Sequence, residues 1–211
     1  MSSAKFKHIV HTEEELRELL GYPSELVKQK AIDYIDQHCR DYIAKTPLLF
    51  IGTTDEHGLC DVSPRGDAAG FVLVLDEKHL VIPERPGNRR WDTLLNLMSN
   101  GRIGLIFLIP GLEETLRING QAYVIRDQDI LEQMTAYGKE PLIGIGVEVE
   151  ECYIHCAKAF KRSKVWNAET WIEPDSRPVA SKILAAHVNQ AGITETDIEQ
   201  SLKESYEKRL Y

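Results

Sequence analysis

The sequence predicts an α+β protein whose centre is an antiparallel β-barrel, closed or split, with helices at both ends. Three observations carry this. About six short apolar runs sit between residues 47 and 155, and most are joined by short, turn-rich links. Such links force antiparallel pairing, because a parallel crossover needs a dozen or more residues. Outside that region the apolar period is helical.

The elements justify this in order. Thr12-Glu13-Glu14-Glu15 has the form of a capping box ahead of Leu16, Leu19 and Leu20. After Gly21-Tyr22-Pro23, Ser24 can cap a second helix whose apolar positions Val27, Ala31, Ile35, Cys39 and Tyr42 recur at helical spacing until Pro47. From there the pattern is that of strands. Residues 48–53 and 59–63 flank Asp55-Glu56-His57-Gly58, and residues 71–75 and 80–83 flank Asp76-Glu77-Lys78-His79, which gives two hairpins. Trp91, Leu94, Leu95 and Met98 mark one helix, closed by Asn100-Gly101, residues that tolerate a left-handed cap. Strands follow at 103–109 and 115–125, a helix at 127–137 and a long strand at 143–155. Two amphipathic helices, 178–190 and 194–209, end the chain.

Composition narrows the function. The 211 residues carry 25 basic and 33 acidic side chains, a net charge of −8, so the surface repels nucleic acid and anionic membranes unless a local cluster says otherwise. The longest apolar stretch, residues 103–110, is far below the roughly 20 residues that span a bilayer. Residues 1–11 lack the apolar core of a signal peptide. A cytoplasmic protein is expected. Cys39, Cys60, Cys152 and Cys156 complete no zinc pattern and are expected as free, buried thiols, with no metal bound.

One stretch carries chemistry: Pro83-Glu84-Arg85-Pro86-Gly87-Asn88-Arg89-Arg90-Trp91. With Asn88 as N-cap, Arg89 and Arg90 fall in the first turn of the following helix, where the dipole disfavours cations. An anion among Arg85, Arg89 and Arg90 would resolve that conflict, with backbone N–H groups and guanidinium forks as donors. The other reading is solvated arginines paired with Glu84 and Asp92, which costs nothing. A second stretch, Asp61-Val62-Ser63-Pro64-Arg65-Gly66-Asp67, puts an arginine at a strand end, with Asp67 placed to hold it. It reads equally as a surface loop with a local ion pair. His57, His79 and His155 have no geometry that suggests catalysis, and no nucleophile–base pair is evident.

Together with Thr115-Leu116-Arg117-Ile118-Asn119-Gly120 and the run from His155-Cys156-Ala157-Lys158-Ala159 to Trp166, these segments resemble the pyridoxamine 5′-phosphate oxidase-like, FMN-binding split-barrel flavoproteins, in a group of undefined activity. The resemblance implies a six-stranded split barrel at 47–166; the helical arm at 1–46, packed on it, and the helical extension at 167–211 are read from the apolar period. It implies FMN as cofactor, held at the interface of a homodimer. Arg89 and Arg90 match the phosphate-gripping pair, Arg65 a flavin contact, and Gly66, Asp67, Arg85 and Asn88 line the same segments. Ile82 and Pro83 match the backbone beside the isoalloxazine ring, while Lys158, Ser163 and Trp166 come from the partner subunit. Pyridoxamine phosphate oxidases continue the arginine strand into an apolar pair and a lysine, where Gly66-Asp67-Ala68-Ala69 stands here. Their C-terminal Arg-Leu-His-type motif is absent after Trp166. An FMN-dependent oxidoreductase for an unidentified small molecule, not pyridoxamine phosphate, is the expectation. Alternatives are a non-catalytic flavin store or redox sensor, or a barrel that uses deazaflavin or haem.

Overall fold

Every β-strand of this chain pairs antiparallel with its neighbours, in one seven-stranded sheet of order β2-β1-β5-β6-β7-β4-β3. The computed structural model describes residues 5–188 and 192–211. In chain order the elements are α1 (Glu13–Leu20), α2 (Glu25–Gln29), α3 (Gln37–Ile43), β1 (Leu48–Thr54), β2 (Cys60–Gly66), β3 (Leu73–Val74), β4 (His79–Pro83), α4 (Asp92–Ser99), β5 (Arg102–Leu108), β6 (Thr115–Ile125), α5 (Gln128–Glu132), β7 (Gly144–His155), α6 (Lys158–Ser163), α7 (Ala180–Val188) and α8 (Glu195–Lys208). Each of the seven runs read as strands forms one, a strand more than the six of the expected barrel, and 71–75 shortens to the two-residue β3.

The chain divides into a unit up to Ala31 and a unit of Ile32–Tyr211. The first holds α1, capped by the Thr12 hydroxyl, which accepts from the Glu15 N–H at 3.2 Å, and α2. In the second, Leu49 and Ile51 of β1 share one core with Leu80 and Ile82 of β4, four places away in sheet order. A flat sheet would hold those strands about 19 Å apart at ~4.8 Å per strand. The sheet therefore curls round its own inner face, which is the split-barrel fold. Ile35, Cys39 and Ile43 of the α3 region enter the same core.

That explains why one helix does not run from Ser24 to Tyr42. Ile32 and Cys152 exchange backbone hydrogen bonds, N–H to carbonyl at 3.0 and 2.6 Å, and Asp36 then caps a new helix through the Cys39 N–H at 2.8 Å. The hairpin turns follow the chemistry read from the sequence. Asp55 Oδ1 accepts from the His57 and Leu59 N–H groups, and Asp76 Oδ1 from those of Lys78 and His79. The predicted helix 127–137 stops at Glu132. Asn100 caps α4 in extended backbone, not left-handed, and Gly101 is required because a side chain there would strike Gln121 and Ala122. The C-terminal helices span Ala180–Val188 and Glu195–Lys208; Gln190, the end of the first as read from sequence, lies outside the described residues.

Cys39 and Cys152 meet in the core as free thiols, Sγ to Sγ 3.4 Å, while Cys60 and Cys156 are exposed, so only two of the four are buried as expected. On the outer sheet face the register aligns Pro64, Phe50, Ile106, Arg117 and Tyr153 in one row. Phe50 and Ile106 are more than a third exposed, and Val62 beside them is 69% exposed. Among the described residues no helix is long and apolar enough to cross a membrane.

Candidate functional site

The two segments singled out in the sequence meet at the ends of β2 and β4, where two ion pairs cross-link them. Arg65 Nε donates to Glu84 Oε2 at 2.9 Å, and Arg85 Nε to Asp67 Oδ2 at 2.8 Å. Both pairs are largely shielded from water, and the Asp67 side chain is only 2% exposed. Such pairs hold only when their remaining polar atoms are bonded, and here they are well supplied. Arg65 Nη1 also donates to Ser63 Oγ and the Pro64 carbonyl, Arg85 Nη2 to the Met134 carbonyl, and Asp67 Oδ1 accepts from the Ala68 N–H and the Tyr211 hydroxyl. Burial pushes the Asp67 carboxyl up, but hydrogen bonds from Tyr211 and Ala68 together with the Arg85 guanidinium outweigh it and hold it below the usual carboxylate range. Asp67 thus holds Arg85, and Arg65 is held by Glu84, the reverse of the pairing read from the sequence.

The loop 84–91 is not the start of a helix. Asn88 does not cap α4; its Oδ1 accepts from the Arg90 N–H at 3.0 Å, and α4 begins at Asp92 with Trp91 in the cap position. Arg89 and Arg90 therefore lie outside the first turn, which carries Asp92, the sign a helix start favours. Arg90 Nε donates to Asp92 Oδ2 at 2.7 Å at the surface. Arg89 is exposed and makes no ion pair among the described residues. The chain turns here through two left-handed residues that are not glycine, Arg89 at φ 62° and Trp91 at φ 60°. Each such residue costs about 1–3 kcal/mol unless the surroundings impose it. With Asp61, whose charge acts on Arg90, four arginines stand against four carboxylates, so the rim is neutral in sum and Arg89 is its cation without an ion pair among the described residues.

Ile82 and Pro83 are buried in β4, paired on one side with Ile145 and Gly144 of β7. On the other side β3 stops at Leu73, opposite Val81, so the Ile82–Pro83 edge has no strand beside it. Gly66 closes β2, and Gly87 has nothing within 4 Å of where a side chain would begin.

Lys158, Ser163 and Trp166 form a separate group. Lys158 is exposed at the start of α6, Ser163 Oγ donates to the Phe160 carbonyl, and Trp166 stacks on Phe160 and donates from Nε1 to the Leu112 carbonyl at 2.9 Å. Lys161 pairs with Glu113. Trp166, Phe160 and Lys161 border an open hollow of about 420 Å³ by the β5–β6 loop, which includes Glu113. Within one chain none of the hydrogen bonds or ion pairs of Lys158, Ser163 or Trp166 reaches the rim. The donor set at the rim fits a phosphate monoester: Arg89 exposed, Arg85 Nη1 without a protein acceptor among the described residues, and Arg90 at the surface. Sequence reasoning missed three partners, Glu84 for Arg65, the Met134 carbonyl and Tyr211. Glu84 lay inside the motif; the other two carry no local signal.

The family model for pyridoxamine 5′-phosphate oxidase matches residues 35–156, from the α3 region to just past β7. No curated protein matches the chain in sequence. Among solved structures, HupZ of Group A Streptococcus is similar at TM-score 0.47 and 20% identity, over 57% of this chain and 93% of that one. The heme storage protein HutZ of Vibrio cholerae is similar at TM-score 0.41 and 13% identity, over 57% and 93%. General Stress Protein 26 of Bacillus anthracis is similar at TM-score 0.42 and 10% identity, over 56% and 94%.

Proposed function

Since this chain belongs to the pyridoxamine 5′-phosphate oxidase family, we propose that it binds FMN at the arginine rim and works as an FMN-dependent oxidoreductase on a small molecule other than pyridoxamine phosphate. The observation that carries the reading is the rim itself. Arg65 and Arg85 are pre-positioned by Glu84 and Asp67, beside a loop that keeps Arg89 without a protein anion at the expense of left-handed backbone. An acidic molecule that immobilises guanidinium groups next to an unpaired one is arranged for an anionic ligand.

In this reading Arg89 grips the phosphate, with Arg85 Nη1 and Arg90 beside it and Asn88 shaping the loop. Arg65, fixed by Glu84 and Ser63, faces the flavin, and the ring lies against the end of β4 at Ile82 and Pro83. Bound FMN would supply hydride or single-electron chemistry. The protein's own part is to orient the ring and to set the charge around it. Lys158, Ser163 and Trp166 complete the site from a second subunit. The protein is read as a cytoplasmic homodimer.

Haem is the weaker ligand for this chain. It wants an axial imidazole over an enclosed pocket, whereas His57 and His79 both stand exposed in hairpin turns. The test is the visible spectrum of freshly purified protein and its titration with FMN. Oxidised-flavin bands, or uptake of added FMN with quenched fluorescence, support the reading. Colourless protein that takes up no FMN overturns it, and a Soret band would replace it with haem. Anaerobic bleaching by NADH or NADPH favours an enzyme; flavin that no donor reduces favours a store or sensor.

A further inference from the structure

Tyr211 lies 144 residues beyond Asp67, yet its hydroxyl donates to Asp67 Oδ1 at 2.8 Å. The other oxygen of that carboxylate holds Arg85 Nε, also at 2.8 Å. Tyr211 is itself anchored twice more. Its ring packs on Tyr137 with centroids 4.4 Å apart, and its carbonyl oxygen accepts from Lys139 Nζ. Tyr137 is one of four non-glycine residues with left-handed backbone among the described residues, at φ 51°. The segment 209–211 that carries Tyr211 follows α8, which packs against α7. The C-terminal helices therefore end on the carboxylate that fixes an arginine of the rim.

We propose that Tyr211 is a positioning residue for the phosphate site, and that it couples the C-terminal helices to the binding of a phosphorylated ligand; this rests on the reading that FMN binds at the rim. The reason is geometric. A guanidinium is planar, so fixing two of its N–H directions fixes the rest. Asp67 fixes Nε and the Met134 carbonyl fixes Nη2, which leaves Nη1 aimed in one direction with no protein acceptor among the described residues. Asp67 can hold that plane only while its own second oxygen is held, and Tyr211 with Ala68 does so. The coupling is reciprocal: whatever the ordered tail adds to phosphate affinity, bound phosphate returns to the order of the tail.

The experiment compares FMN with riboflavin, which lacks the phosphate, on wild-type protein and Tyr211→Phe. Loss of the hydroxyl is expected to weaken FMN about three- to tenfold, as part of one hydrogen bond to a charged group is lost. Riboflavin affinity should stay at its wild-type value, while the apoprotein melts a few degrees lower because a buried carboxylate loses a donor. In the reciprocal measurement, FMN but not riboflavin should slow tryptic cleavage after Lys208 and Arg209 of the wild type. Equal FMN affinity in the two proteins overturns the inference, and so does equal weakening of FMN and riboflavin, which marks a general structural role. Wild-type protein that binds no FMN sinks the functional reading first, and the inference with it.

Discussion

Arg89 and Arg90 are neighbours in sequence in opposite circumstances. Arg90 spends two guanidinium nitrogens on Asp92, at 2.7 and 3.4 Å, while Arg89 has no carboxylate beside it. Arg89→Ala is therefore expected to weaken FMN about 10- to 100-fold, the scale of a lost charge-assisted hydrogen bond, and Arg90→Ala by less than about tenfold, both read by fluorescence titration. A larger loss for Arg90 would contradict the assignment. Asp67 makes a second case. Its carboxyl is held below its ordinary value near about 3.9, so its stabilisation is complete above that pH and is lost as pH falls through the lower folded value. Asp67→Asn is expected to cost about 3 kcal/mol at neutral pH and to flatten the acid limb of stability, measured as the urea midpoint from pH 6 to pH 2. At this scale the sequence showed which residues gather but not who holds whom. Arg65, Asp67, Glu84 and Arg85 all lie in the two motifs, but their pairing depends on how β2 and β4 approach across the curled sheet, and Tyr211 depends on a contact 144 residues long.

Element boundaries were legible where the signal is local. The turns at Asp55 and Asp76 and the caps at Thr12 and Thr194 depend on residues within four positions, and the structure has them. They failed where a distant strand decides. The spacing of Val27, Ala31, Ile35 and Cys39 suits one helix, yet Cys152 of β7 claims the backbone of Ile32 and Asp36 restarts the chain as α3. Asn88 failed for a different reason: it is a good cap by type, but Asp92 is better placed to meet the helix dipole. The α3 cap gives a clean prediction. Asp36→Ala should destabilise the barrel by about 1 kcal/mol, because α3 carries Cys39 and Ile43 into the main core. Thr194→Ala removes an equivalent cap from α8, which buries no residue, and should leave the main thermal transition in place.

For the whole molecule, net charge is −8, so the four arginines gathered at the rim draw an anion locally, against the sign of the chain as a whole. The outer sheet face is the other large-scale feature. Val62, Phe50 and Ile106 place apolar side chains in the open over adjoining strands, with the Arg117 guanidinium 5.5 Å from the Tyr153 ring and its buried Nε unbonded. The expected solution mass is twice 24.0 kDa, and Val62→Lys, which sets a charge into that face, should return it to 24.0 kDa in sedimentation equilibrium. An unchanged mass for the variant would move the interface elsewhere. The split barrel was readable because hairpin links leave few topologies; that β1 and β4 share one core was not, since no residue pattern records which strands face each other.

The sulfur pair inside the barrel offers a built-in gauge of opening. The hydrogen bond from Cys152 and burial push the Cys39 thiol far up, and Cys152 is wholly out of a reagent's reach while the fold is closed. A chromogenic thiol reagent should count two sulfurs per native chain, Cys60 and Cys156, and four once the strands part. The rate at which the count climbs from two to four, followed with and without ligand, would report breathing of the barrel with no label attached.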